Sequence, residues 1–202
     1  MTPNHKSAIS ICLTAILAFA PVTASAQANT FSGQAVAVRA SVIGVALALS
    51  DTGPLPASGG SLQTSLASVN VLGLVSADVL RSTASGGSSS SQSQSAVANL
   101  NLLGGLITAD LVNSAASGTC SGGQAAVAGN SELVNLVVAG QPVLVVNPNL
   151  ALSLPGGISV VVNEQSSSAG GNSGSMTVNA LHVTGPAIDI VVASAQSGIT
   201  CA

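Results

Sequence analysis

The 202-residue chain carries three Lys or Arg, six Asp or Glu and two His, so 4% of its residues are charged where a quarter is usual. So few cations cannot build the positive footprint that nucleic acid demands, and they suit anionic lipid surfaces no better. With no Trp, no Tyr and two Phe, the chain also lacks the aromatic platforms on which proteins usually stack sugars.

At the N-terminus, His5 and Lys6 precede an apolar run from Ala8 to Ala20. Pro21 breaks the run, and Ala24-Ser25-Ala26 places small residues where a signal peptidase reads them. Residues 1–26 are therefore expected to be a secretory signal peptide, its 13-residue apolar run falling short of the roughly 20 residues of a membrane helix. Cys12 follows Ile11, not the small residue that lipid modification needs. Taking 26 residues from 202 leaves 176, enough for one domain with a real core. No later segment is apolar for long enough to span a bilayer, and the expected location is extracellular or at the cell surface.

Along the mature chain, Val36, Val38 and Val42 alternate with small or polar residues, as in a half-buried strand. Leu55-Pro56-Ala57-Ser58-Gly59 looks like a sortase motif, but no apolar tail follows it and it reads as a loop. Next comes an internal repeat. Residues 65–85 contain Val69-Asn70-Val71-Leu72-Gly73 followed by Leu74-Val75-Ser76-Ala77-Asp78-Val79-Leu80. Residues 95–117 answer with Leu100-Asn101-Leu102-Leu103-Gly104-Gly105, then Leu106-Ile107-Thr108-Ala109-Asp110-Leu111-Val112. The two copies are offset by 31 residues at the asparagine (70 to 101) and by 32 at the aspartate (78 to 110), an extra glycine accounting for the difference. Repetition of this kind marks a structural unit used more than once.

Between the copies, Ser82–Ser95 is built almost wholly of Ser, Gly and Gln and reads as a flexible loop; tracts 50–61, 113–131 and 165–175 are similar. Gly73, Gly104-Gly105, Gly140-Gln141-Pro142 and Pro155-Gly156-Gly157 separate apolar runs as hairpin turns do. Val134-Asn135-Leu136 and Val178-Asn179-Ala180 echo the repeat's first strand, and Ile188-Asp189-Ile190-Val191-Val192 its second. The runs are too short and valine-rich for helices. The expectation is a single all-β domain of ten to twelve strands, arranged as an antiparallel two-sheet sandwich built from repeated hairpins, with a β-solenoid as the alternative.

Cys120 and Cys201 are the cysteines left after processing, and in an oxidising compartment they should pair. The bond would close a loop of about 80 residues and contribute roughly 4–5 kcal/mol by restricting the unfolded chain. A reactive thiol pair would need closer spacing and basic neighbours.

The segment Leu100–Asp110, together with Val137-Val138-Ala139-Gly140-Gln141-Pro142-Val143, Val162-Asn163-Glu164-Gln165, Val178–Val183 and Val191–Ala195, resembles the bacterial choice-of-anchor P family of secreted proteins. The resemblance runs over nearly the whole mature chain. It implies a cell-surface or extracellular protein, whose relatives end in differing anchoring tails, and carries no established activity. This sequence closes on Cys201-Ala202, with no sorting segment of the kind anchored members have.

Residues capable of chemistry are few. His182 is the one histidine after processing, in step with Val178 and Ala180 on a strand side that reads as core-facing, which suits a hydrogen-bonded structural role. No G-x-S-x-G elbow accompanies it, and one histidine beside a disulfide leaves too few ligands for zinc. Asp78, Asp110 and Asp189 hold equivalent repeat positions, so they either converge on calcium or bond backbone at strand entries; no D-x-D-x-D-G loop favours the former. Glu164 could join a second carboxylate in glycoside hydrolysis, but its surroundings read as the exposed end of a strand. Asn70 and Asn101 are expected to face solvent or to pair across strands.

These features predict a non-enzymatic extracellular structural or interaction protein, with no catalytic, cofactor or metal residues assigned. Strand edges with almost no charged residues make self-association a concrete expectation. The competing class is a secreted hydrolase using Glu164 with a second carboxylate, or His182.

Overall fold

The structure, a computed structural model, describes residues 28–71 and 73–202. The signal peptide expected over residues 1–26 lies outside the described residues. Thirteen strands are present among the described residues, and they form two antiparallel sheets packed face to face. The solenoid alternative is not adopted.

One sheet, sheet A, holds β1 (Thr30–Val42), β2 (Val45–Asp51), β10 (Leu150–Leu154), β11 (Ile158–Gly170), β12 (Ser173–Gly185) and β13 (Ile188–Thr200), in the order β10-β11-β12-β13-β1-β2. Sheet B holds β3 (Gly60–Val71), β4 (Val75–Gly87), β5 (Ser90–Leu102), β6 (Ile107–Ser121), β7 (Gln124–Val134), β8 (Val137–Val138) and β9 (Gln141–Pro142). Its order is β3-β4-β5-β6-β8-β9, with β7 also pairing β6. The chain begins in sheet A, meanders through sheet B and returns, so β13 lies along the whole of β1, from Thr30 opposite Thr200 to Val42 opposite Ile188.

The repeat is a pair of hairpins, β3–β4 and β5–β6, folded at Gly73 and at a 3-10 turn over Leu103–Gly105. The tract Ser82–Ser95 is a correction to the sequence reading. It is no loop but the far half of the β4–β5 hairpin, paired from Arg81–Ala96 to Gly87–Ser90. Tract 113–131 likewise forms most of the β6–β7 hairpin, and tract 165–175 the turn end of the β11–β12 hairpin. Alternate serines explain it: Ser82, Ser91, Ser93, Ser95 and Ser114 point inward and are buried, along with Ser197 from the other sheet. Ser82 Oγ meets Ser95 Oγ at 3.1 Å, and Ser197 Oγ donates to Ser91 Oγ at 2.9 Å across the sheets. Small side chains let the sheets approach closely there. At Gly129 a methyl group would collide with Met176 and Val178 of β12.

The interior thus has two halves. Toward the Gly73 and Gly104 turns it is filled by Leu80, Leu100, Leu102, Ile107, Leu181, Ile190 and surrounding valines. Toward the chain ends it is serine-lined and closed by Phe31, Leu55 and Ile199. Leu55 belongs to the Leu55–Gly59 loop, which crosses from β2 to β3 and docks through Leu55 N–H on the Gly33 carbonyl.

Where the halves meet, the pleat slips by one residue in strand after strand. Core-facing positions run Val75, Ala77 and then Leu80, Ser82 in β4; Ser95, Val97 and then Leu100, Leu102 in β5; and Val178, Ala180 and then Leu181, Val183 in β12. Strand pairing is interrupted in the same row, at Ala37, Asn163, Ala180 and Ala193 of sheet A. Asn163, Ala193 and Asn99 take positive φ there, at 54°, 51° and 50°. A slip of one residue turns every later side chain to the opposite face.

Candidate functional site

The slip redirects His182. With Leu181 and Val183 turned inward, His182 faces out from sheet A and is half-buried, contrary to the core-facing position its spacing suggests. Glu164 is also displaced from its expected place: it lies within β11, directly opposite Asn179 of β12, which in turn is opposite Ser194 of β13. A chain of bonds joins these strands. Ser194 Oγ donates to Asn179 Oδ1 at 2.7 Å, and Asn179 Nδ2 donates to Glu164 Oε2 at 2.7 Å. His182 Nδ1 stands 3.0 Å from the same Glu164 oxygen, while its Nε2 stands 3.3 Å from Asp189 Oδ1. Side-chain exposure rises from 22% at His182 through 33% at Glu164 to 62% at Asp189.

This geometry limits the chemistry. A general-base histidine needs one nitrogen free to take a proton from a nucleophile. Here both ring nitrogens face carboxylates, so neither is turned toward a nucleophile. Ser194 is directed at Asn179, not at the imidazole. The imidazole stands between Glu164 and Asp189, within bonding distance of both. The cluster acts as a clamp across β11, β12 and β13.

The three aspartates do not converge. Asp78 and Asp110 lie on the outer face of sheet B, in strands separated by β5, whereas Asp189 is in sheet A. Asp78 Oδ2 accepts from Asn99 Nδ2 at 3.0 Å, and Asp110 Oδ2 from Asn135 Nδ2 at 2.6 Å. Both asparagines have positive φ, so each carboxylate holds a left-handed residue of the neighbouring segment by its side chain, rather than bonding backbone at a strand entry. Among the described residues, no group of three His, Cys, Asp or Glu is placed to hold a metal ion. Asn70 Oδ1 accepts from the Gly73 N–H at 3.3 Å, fastening its own turn.

Asn135 and Asn179 stand out in the sequence only as echoes of the repeat, and neither they nor Asn99 and Ser194 announce these bonds, although one signal is there. A hairpin centred on Gly171-Asn172 places residue 164 opposite 179; reading 165–175 as loop concealed that register.

Cys120, at the end of β6, is bonded to Cys201, which follows β13, with Cα atoms 5.7 Å apart. The disulfide therefore staples sheet B to sheet A. Asn172 reinforces it by accepting from Cys201 N–H through its carbonyl at 2.7 Å and donating from Nδ2 to the Cys201 carbonyl at 3.1 Å. On the outer face of sheet B, Thr83, Gln92, Gln94, Ala115, Ser117 and Asn130 line a shallow groove of about 460 Å³ without a charged side chain. Among the described residues, no helix is long and apolar enough to cross a membrane.

Fold and site together define an antiparallel β-sandwich stapled between its sheets, with small polar outer faces and with Asp78, Asp110, Glu164, His182 and Asp189 bonded to side chains of neighbouring segments. Comparison with protein-family models, curated proteins and solved structures finds no match for this chain.

Proposed function

We propose that this chain is an exported, non-enzymatic structural or interaction module of the cell surface or extracellular space, and that it associates with itself. The observation carrying this reading is the state of its sheet edges. β3 is an outermost strand of sheet B, twelve residues long, without a charged residue or proline, and β10 at an edge of sheet A is uncharged as well. Proteins that stay monomeric usually protect such edges with charges, proline, bulges or covering segments. The inter-sheet disulfide supports an oxidising location. The scarcity of cations argues against nucleic acid as a partner.

Light scattering on the purified secreted chain, disulfide intact, over a dilution series tests the proposal. Species larger than the monomer that dissociate on dilution are expected. A monomer at every concentration would remove self-association from the reading.

A further inference from the structure

We infer that two copies of this chain join sheet B to sheet B through β3, antiparallel about a two-fold axis passing between Leu66 and Ala67; the inference rests on the self-association proposed above. Two observations carry it. Ser65, Leu66, Ala67 and Ser68, the centre of the strand, are all exposed, so neither side of the strand is covered there. Leu66, whose partner Leu80 is fully buried, is itself 40% exposed, an apolar side chain left open at the sheet's rim. Against these, Ser50 Oγ of β2 already donates to the Thr64 carbonyl on this edge at 3.2 Å.

The strand is also its own complement. Pairing with β4 places Leu62, Thr64, Leu66, Val69 and Val71 on the inner side, and Gln63, Ser65, Ser68 and Asn70 on the outer side. Inner positions are even-numbered before the pleat slip and odd-numbered after it. An antiparallel partner in the stated register therefore sets inner against inner, Leu62 with the second copy's Val71 and Thr64 with its Val69. Outer residues meet outer ones, Gln63 with Asn70 and Ser65 with Ser68. Leu66 packs on Ala67, and the slip of one copy coincides with that of the other. An isologous contact of this kind closes after two copies. Main-chain bonds supply affinity and the matched faces supply register, while the absence of charge leaves no like-charge pair across the junction.

The test combines two sets of variants in the disulfide-intact secreted chain. Leu66→Lys places a charge at the centre of the edge and should raise the dissociation concentration at least about tenfold with the circular dichroism unchanged; Ser68→Lys serves the same purpose if Leu66→Lys does not fold. Separately, Ser65→Cys and Ser68→Cys proteins are oxidised alone and as a mixture. A covalent dimer is expected in the mixture and not from either variant alone. Association that withstands the lysine variants, with no mixed cross-link, would overturn this interface while leaving self-association through another surface in place. Cross-linking of either variant with itself would overturn the register. A wild-type chain that is monomeric throughout would end both readings.

Discussion

Asn135 donates its side-chain N–H to Asp110 Oδ2 at 2.6 Å from a backbone held at φ 52°, and Asn99 repeats the arrangement with Asp78 at 3.0 Å and φ 50°. Left-handed backbone is unfavourable for most residues and least so for glycine and asparagine. Asn135→Ala should therefore cost about 1–2 kcal/mol. Asn135→Gly, which keeps the backbone unstrained and loses the side-chain bond, should cost less. Urea midpoints of the two variants provide the comparison, and an alanine variant as stable as the glycine one would refute the backbone account.

The clamp on sheet A makes a separate prediction. Glu164 and His182 are partly exposed, so solvent screens their interaction, and a double-mutant cycle with Glu164→Gln and His182→Gln should give a coupling of about 0.5–1 kcal/mol. Zero coupling would mean that the two side chains do not share a bond in solution.

Loss of the staple should matter more. Replacing Cys120 and Cys201 together by serine reopens a loop spanning 81 residues and should lower stability by about 4 kcal/mol, measured by urea denaturation. A shift under about 1 kcal/mol would show that the sheets hold together without it.

Close approach in the serine-lined half is open to test at Gly129. Gly129→Val should destabilise by about 1–3 kcal/mol through collision with Met176 and Val178. Adding Met176→Ala should recover part of that loss, so the double variant is more stable than the sum of the single costs predicts. Strict additivity would place the strain elsewhere.

Much of the fold was legible because turns and apolar alternation carry local signals. Gly73, Gly104, Gly105, Gly140, Gly156 and Gly157 all take positive φ, as hairpin turns require. The expected pairing of Cys120 with Cys201 is present. Ser82–Ser95 misled because a linker and a strand facing a serine-lined interior share one composition; the difference lies in partners on the opposite sheet, such as Ser197 for Ser91. His182 misled for another reason. Alternation counted from Val178 is valid only until the pleat slips after Ala180, and the slip is a property of the whole row of strands, marked locally by little more than alanines and asparagines.

Amide hydrogen exchange of β3 at high and low protein concentration tests the central claim most directly, because it reads the edge itself. The account predicts that amides within 62–71 exchange markedly more slowly in the concentrated sample, while those of the interior strands β5 and β13 are unchanged. Equal and fast exchange of β3 at every concentration would contradict it.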